Sequence, residues 1–313
     1  MIASVVILVT NRRATLHFRK HHGRLPRVAP PRTYADRLFW RKVVDHSPRF
    51  VELSDKLAVK DYIRRTCPEL RTPETLWNGE DADAIPDALL AGDVFVKANH
   101  GSGENYRIRN GVVDRAELKR LADFWLVKRH GYAHFEWSYT RIEPRLFVER
   151  AVGDAEVDLL EINIRASGGR ALLGSIIGRN KLPGMWVVYL DPEGRPSCGP
   201  GDEDDAEPAP LPADVSVTEA YRQAVRYAEI LSAGIDYARF DFLWNGHQLY
   251  GGEITLYPAA GLHEIEHAGV RERILAGWRL QDAHFLCEPQ RGVRRLYANA
   301  LRRRLSQSTG ADH

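Results

Sequence analysis

The sequence is poor in cysteine and has no long apolar run. Its 313 residues include only three cysteines. Cys67, Cys198 and Cys287 share no short spacing, so neither a zinc-binding motif nor a disulfide framework is predicted. The apolar run at residues 2–9 is far shorter than the roughly 20 residues that cross a bilayer. We therefore expect a cytoplasmic protein without a transmembrane segment, whose residues 2–9 form a first β-strand or a poorly ordered start.

Several familiar motifs are also missing. No convincing Ser-His-Asp or Cys-His constellation points to a covalent nucleophile, and neither the Walker nor the Rossmann glycine pattern is matched. No recognition-helix, zinc-finger or RNP-type signature occurs, so we expect no specific nucleic-acid partner. An Asp-x-Asp motif after a Rossmann-like strand is absent too, which disfavours glycosyl transfer.

Charge is distributed unevenly along the chain. The net charge is only +2, but residues 11–42 carry ten Lys/Arg against the single acid Asp36, and residues 291–304 add six arginines. Residues 202–207 are acidic in compensation. The basic stretches could bind nucleic acid, an anionic membrane surface or a polyanionic substrate, or could be solvated, partly disordered ends.

The predicted elements favour an α+β protein of two lobes. Helices are expected at residues 34–44, from an N-cap at Ser54 to Pro68, at 117–127 and at 218–231; strands at 93–97, 145–149, 157–164, 171–177 and 185–190. The predicted divisions are a basic extension (1–33), a helical region (34–92), a small lobe (93–148), a large lobe with an acidic hairpin (149–285) and a basic tail (286–313). A loop rich in proline, glycine and acid, between Pro192 and Pro212, suggests a mobile flap or an insertion.

A glycine-rich loop follows the strand that ends at Lys97. The sequence continues Ala-Asn-His100-Gly101-Ser102-Gly103. Glycines allow close backbone approach to a phosphate chain, and the lysine supplies a positive charge. The alternative is an ordinary hairpin turn.

An acidic hairpin is predicted around Asn245-Gly246. Period-two alternation places Arg239 and Asp241 on one face and the aromatic residues on the other. A three-residue loop would bring Glu253 and Thr255 to the face of Asp241. Two carboxylates beside an arginine suit magnesium and phosphate, whereas the alternative is a salt-bridged, solvated sheet face.

The order of these motifs resembles the ATP-grasp superfamily, and more narrowly its TupA-like branch, named for teichuronopeptide biosynthesis. The resemblance covers about residues 23–265 and implies two α+β lobes gripping ATP, with a helical N-terminal region. It is carried by Asp55-Lys56, Val96-Lys97, Gly101-Ser102-Gly103, Phe147-Val148-Glu149, Arg239-Phe240-Asp241 and Gly252-Glu253-Ile254-Thr255.

The resemblance also implies a role for each motif. Lys56 and Lys97 would contact the ATP phosphates, and the segment from His100 to Gly103 would close over them. Glu149 would lie beside adenine and ribose, and Asp158 would bind ribose or substrate. The implied Mg²⁺ ligands are Asp241 and Glu253, with Thr255 where many ATP-grasp enzymes have asparagine; Arg239 and Lys97 would be catalytic.

One segment departs from the TupA-like pattern. That branch usually has an Asp-Tyr-Lys-Phe run after the hinge, whereas this chain reads Asp158-Leu159-Leu160-Glu161 and lacks the lysine.

For function, the resemblance implies an ATP- and Mg²⁺-dependent carboxylate–amine ligase that forms an amide through an acylphosphate. Its partners would be ATP and small-molecule or glycan substrates, with an amino acid or peptide joined to a carboxylate-bearing cell-surface glycan or its precursor. The alternatives are an ATP-dependent phosphotransferase acting on a sugar or small acid, and an ATP-binding pseudoenzyme.

Overall fold

The computed structural model describes residues 2–153, 159–180, 182–212 and 217–309. Its α-helices are α1 Ile2–Thr10, α2 Arg12–His22, α3 Tyr34–Val43, α4 Pro48–Ser54, α5 Ala58–Thr66, α6 Asp87–Leu90, α7 Arg115–Val127, α8 Thr218–Leu231, α9 Ala268–Gly277, α10 His284–Cys287 and α11 Gly292–Thr309. Its strands are β1 Thr75–Gly79, β2 Val94–Ala98, β3 Asn105–Ile108, β4 Leu146–Arg150, β5 Leu160–Ser167, β6 Arg170–Gly178, β7 Trp186–Leu190, β8 Pro196–Ser197, β9 Ala238–Trp244 and β10 Leu249–Thr255.

The strands form two antiparallel sheets. The smaller has the order β1-β4-β2-β3, and the larger has the order β10-β9-β5-β6-β7-β8. Helices combined with antiparallel sheets confirm the predicted α+β class.

Alternation along the strands gives the small sheet one apolar and one polar face. Val94, Val96 and Ala98 are buried and cluster with residues of α7. Their neighbours in sequence, Phe95 and Lys97, project from the opposite face because successive side chains of a strand point to opposite sides. The apolar face thus fixes the direction of Lys97.

The large sheet follows the same rule. Leu160, Ile162 and Ile164 of β5 are buried in a cluster that includes Ala224 and Leu231 of α8. The alternate residues of β5 consequently project from the face that α8 does not cover.

The chain ends meet in a helical cluster. Phe18 of α2, Trp40 of α3 and Tyr297 of α11 share one buried apolar core, and Trp40 Nε1 donates a hydrogen bond to Tyr297 Oη over 2.8 Å. The segments predicted as basic extension and basic tail therefore pack together.

Two local predictions are wrong. Residues 2–9 belong to helix α1, because Ala3, Ile7 and Leu8 pack against the helical cluster at helical spacing. Ser54 is the last residue of α4 instead of an N-cap, and its hydroxyl hydrogen-bonds to that of Ser138 over 2.7 Å. The other predicted helices and strands match observed elements to within a few residues; residues 154–158 lie outside the described part of the chain.

A buried ion pair anchors the start of β9. Asp236 accepts two hydrogen bonds of 2.9 Å from Arg41 of α3 and one of 2.8 Å from Trp278 Nε1. The side chains of both ionic partners are at most 2% exposed. Because Asp236 lies two residues before β9, this pair ties the strand carrying Arg239 and Asp241 to the helices.

Within the described ranges, no helix is both long enough and apolar enough to cross a membrane.

Candidate functional site

A cavity of about 390 Å³ lies between the polar faces of the two sheets. Side chains from α5, both sheets and the loop after β2 line it. Its polar and glycine lining comprises Lys56, Lys60, Lys97, Ser102, Gly103, Glu104, Asn105, Glu149, Glu161, Asn163, Asn180, Arg239, Asp241, Gly251, Gly252 and Glu253.

Two lysines converge on Glu149 at the small sheet. Lys97 donates a short hydrogen bond to Glu149 Oε1, and Lys60 Nζ lies 2.6 Å from Oε2. Desolvation raises the pKa of Glu149, but the charges and hydrogen bonds of Lys97 and Lys60 outweigh it, so the net pKa is lowered. Glu149 is therefore ionised and holds both ammonium groups at the cavity wall.

Lys56 crosses the cavity to the large sheet. It forms a short ion pair with Glu253 Oε1, while its backbone N–H is bonded to Asn99 O over 3.0 Å. Glu253 is 53% exposed. Desolvation raises its pKa, but Lys56, joined by Lys97 and Arg239, lowers it overall. Glu253 therefore presents an ionised carboxylate to the cavity.

Arg239 and Asp241 form a planar, two-contact pair. Arg239 Nε and Nη2 each lie 2.7 Å from one carboxylate oxygen of Asp241. Thr255 Oγ1 lies 3.2 Å from Asp241 Oδ2 and accepts from Arg239 Nη2 over 3.3 Å. The Asp241 charge raises the pKa of Arg239, so the guanidinium stays protonated. The structure thus brings Arg239, Asp241 and Thr255 of the predicted cluster into direct contact.

The register of the hairpin that produces this arrangement differs from the predicted one. The loop spans four residues, 245–248, so Trp244 pairs with Leu249 and odd positions oppose even ones. A β-bulge between Gly251 and Ile254 then inserts one residue. Beyond it, Thr255 pairs with Arg239. The predicted three-residue loop is wrong, but the bulge restores the shared face.

Gly252 is the residue that permits this bulge. A Cβ atom at this position would lie 2.8 Å from the Asp241 carbonyl oxygen, which is backbone and cannot swing away. If the cavity holds ATP with Mg²⁺, as the sequence resemblance implies, Gly252→Ala should displace Glu253 and weaken ATP binding about tenfold in Mg²⁺, with little change in EDTA. Calorimetric titration of ATP measures both affinities.

Gly92→Ala is the matched control, since a Cβ at Gly92 would meet nothing within 4 Å. Equal Mg²⁺-dependent affinities for Gly252→Ala and Gly92→Ala would contradict the role of the bulge.

The glycine-rich loop is only partly at the cavity. Ser102 and Gly103 line it, and Gly103 has a φ of +84°, which favours glycine. His100 lies behind the loop, where its Nε2 is 3.1 Å from the carbonyl oxygens of Trp125 and Lys128 at the end of α7. Gly101 is buried against Glu104, and neither it nor His100 belongs to the cavity lining.

Strand β5 supplies polar residues that the sequence reading missed. Glu161 and Asn163 line the cavity, and Asn180 Nδ2 donates to Glu161 Oε1 over 2.6 Å. Asp158, the residue predicted in this segment, lies outside the described residues. The available signal was alternation: polar residues at positions 161, 163 and 165 interrupt an otherwise apolar strand.

Two buried polar atoms on this face of β5 have no hydrogen-bond partner within the described ranges. They are Asn163 Oδ1 and Arg165 Nη1. In the register of the sheet, Asn163 pairs with Asp241 and Arg165 pairs with Arg239. Leaving buried polar groups unpaired costs free energy, and Asn163, which lines the cavity, is therefore suited to contact a ligand.

The rest of the cavity wall is apolar. It consists of Val59, Pro73, Phe147, Ile177, Phe242 and Leu243. Apolar walls beside a few convergent polar groups are typical of sites for small organic molecules, and here they suit a flat aromatic base.

The donor set fits magnesium held jointly with phosphate. No group of three or more His, Cys, Asp or Glu residues within the described ranges could hold a metal by itself. Asp241 and Glu253 are two carboxylates at one cavity. Magnesium is usually bound through one or two carboxylates together with substrate phosphates and water. A metal ion here would therefore depend on a bound phosphate group.

Comparison with known proteins gives distant structural matches only. No family model and no curated protein matches the sequence. Similar solved structures include the ATP-grasp ligase PsnB with a minimal precursor, at TM-score 0.38 and 14% identity over 70% of this chain and 58% of that one. D-alanine–D-alanine ligase from Bacillus anthracis with ATP matches at TM-score 0.41 and 16% identity, over 74% and 65% of the two chains.

A third match is N5-carboxyaminoimidazole synthetase from Staphylococcus aureus with ADP, at TM-score 0.40 and 14% identity over 65% of this chain and 44% of that one. The chain thus spans less than two thirds of the length of these proteins. At these TM-scores and identities the matches record similarity alone.

Proposed function

We propose that the protein is an ATP-grasp ligase that uses ATP and Mg²⁺ to join a carboxylate to an amine. One observation carries the proposal: Lys56, Lys97 and Arg239 meet Asp241 and Glu253 around a single cavity between two antiparallel sheets. Cations that neutralise phosphoryl charge, beside carboxylates that suit magnesium, are what ATP-dependent activation of a carboxylate requires.

We assign the nucleotide to the space between the sheets. The apolar wall that includes Phe147 and Leu243 would hold the base, and Glu161 offers a carboxylate to the ribose hydroxyls. Lys97 and Lys56 would contact the phosphates, with Ser102 and Gly103 lying over them. Asp241 and Glu253 would hold magnesium, which supplies further neutralisation of the phosphate charge when bound.

The carboxylate substrate is assigned to the neighbouring arginines. Arg165 and Arg239 are register partners on adjacent strands, and Arg165 Nη1 has no partner among the described residues. Planar guanidinium groups match carboxylate and phosphate oxygens. Arg239 would stabilise the phosphoryl group as it is transferred, and Arg165 would orient the acceptor. Transfer of the terminal phosphoryl group of ATP to the carboxylate would give an acylphosphate and ADP. Attack of the amine on the acyl carbon would then form the amide and release phosphate.

The finer proposal for the acceptor is a carboxylate-bearing cell-surface glycan or its precursor, to which an amino acid or peptide is attached. It rests on the TupA-like order of motifs, and the paired arginines are compatible with a uronic acid carboxylate.

The proposal is tested with the full chain, ATP, Mg²⁺ and pooled uronic acids and amino acids. Mass spectrometry identifies new products, and chromatography identifies the nucleotide formed. ADP with an amide product is the expected result. ADP with a phosphorylated acceptor would make the protein a phosphotransferase, and bound ATP that persists unhydrolysed with every pool would make it a binding module. Either of these outcomes overturns the ligase assignment.

A further inference from the structure

We propose that α1, α2 and the arginines beside them form a docking surface for an anionic lipid bilayer. This basic helical face comprises Val5, Val6, Val9, Arg12, Arg13, Leu16, Arg19, Lys20, Arg27, Arg32 and Arg304. None of these residues lines the nucleotide cavity, so the inference is independent of the proposed ligase activity.

The first observation is a run of apolar side chains in water. Val5, Val6 and Val9 on α1 are 55%, 45% and 65% exposed, and Leu16 on α2 is 58% exposed. Val5 and Val9 lie one turn apart on the helix. Single exposed apolar residues are ordinary, but a group of them on adjoining helices marks an interaction surface.

The second observation is the charge of the same helices. On α2 the residues Ala14, Thr15 and Phe18 are buried, whereas Arg12 and Arg13 before them and Arg19 and Lys20 after them are exposed. The first acid in the sequence is Asp36, which is fully buried and paired with Arg24. The exposed charge of α1 and α2 is therefore entirely positive.

The third observation is a groove beside α1 that collects further cations. It has a volume of about 350 Å³, and Ser4 borders it together with Arg27, Arg32 and Arg304. Arg304, from α11, is fixed by a 2.5 Å hydrogen bond from its Nη1 to Ala29 O. Two arginines from the connection between α2 and α3 and one from α11 thus line a space suited to a phosphate headgroup.

The combination favours a bilayer over a nucleic acid. Lysines and arginines could bind either partner. Exposed valines and a leucine, however, add favourable binding free energy only where they leave water for an apolar phase. A helix with apolar residues and flanking cations lies in the interface of an anionic membrane, with its apolar side chains among the upper acyl chains.

The test measures co-sedimentation of the full chain with vesicles. One set contains phosphatidylcholine alone, and in the other about a third of the lipid is phosphatidylglycerol. We expect binding to the anionic vesicles only, and release at high salt. Arg12→Gln/Arg13→Gln and Val5→Ser/Val9→Ser should each weaken binding by roughly tenfold, through lost charge and lost apolar burial respectively.

Matched controls come from other exposed positions. Val112 and Val127 are 78% and 72% exposed, so Val112→Ser/Val127→Ser controls for the valine change. Arg195→Gln/Arg222→Gln controls for the charge, since both arginines are exposed. Each variant's thermal unfolding confirms that it folds.

Three results would overturn the proposal. The first is equal sedimentation with neutral and anionic vesicles, or none with either. The second is valine or arginine variants that bind as the controls do. The third is an affinity for duplex DNA that equals the affinity for anionic vesicles at the same salt concentration and does not change in Val5→Ser/Val9→Ser.

Discussion

Asp241→Asn should lower ATP turnover by about a hundredfold or more while the protein remains folded. The substitution keeps the size of the side chain but removes the charge that pairs with Arg239 and that would hold magnesium. Arg239 would also lose a partner that fixes its planar group. The measurement is the rate of ADP release in the substrate assay, with circular dichroism as the test of folding.

The matched control is Asp87→Asn. Asp87 also forms an ion pair with an arginine, Arg115, but it is 92% exposed and lies outside the cavity. Its substitution should leave turnover within about twofold, because exposed ion pairs contribute little. If Asp241→Asn turned over ATP like Asp87→Asn, the carboxylate of Asp241 would have no part in the reaction and the proposed magnesium site would be wrong.

Asp236→Ala should lower the free energy of unfolding by about 3–5 kcal/mol. The change leaves the buried guanidinium of Arg41 without its two carboxylate contacts and leaves Trp278 Nε1 without its acceptor. Asp45 lies nearby, and burial together with the Asp236 charge raises its pKa to about 7. Asp236→Ala removes one of these causes, but burial still disfavours the Asp45 carboxylate, so Asp45 can offset only part of the loss. Urea unfolding of wild type and variant measures the difference.

Asp123→Ala provides the comparison. Asp123 pairs with Lys119 on the surface of α7, where the two side chains are 56% and 41% exposed. Its loss should cost less than about 0.5 kcal/mol. A destabilisation by Asp236→Ala as small as that of Asp123→Ala would contradict the structural role assigned to the buried pair.

Alternation along the strands was readable from the sequence because it is local. Apolar side chains at every second position of β9 indicated which face of that strand would be buried. The same pattern predicted that Arg239 and Asp241 project together from its other face. The helices α3, α7 and α8 were predicted for a comparable reason, since their apolar spacing repeats with the helical period.

The sequence could not reveal partners distant in the chain. Lys60 reaches Glu149 from α5, and Asp236 holds Arg41 across nearly 200 residues of sequence. Neither pairing leaves a local pattern, because each depends on how separate elements pack. His100 shows the converse: beside a glycine-rich loop it resembles a phosphate ligand, yet packing directs its ring to the end of α7.

By itself, then, the sequence determined the α+β class, the apolar face of β9 and most of the charged residues at the cavity. Only the tertiary structure decided how those charges meet. The clearest case is Glu253: a four-residue loop alone would have turned it away from Asp241, and the bulge at Gly252 restores the shared face. The alternation of side chains between two faces is set by the backbone of a single strand, whereas the register of a strand pair is set by hydrogen bonds between the strands.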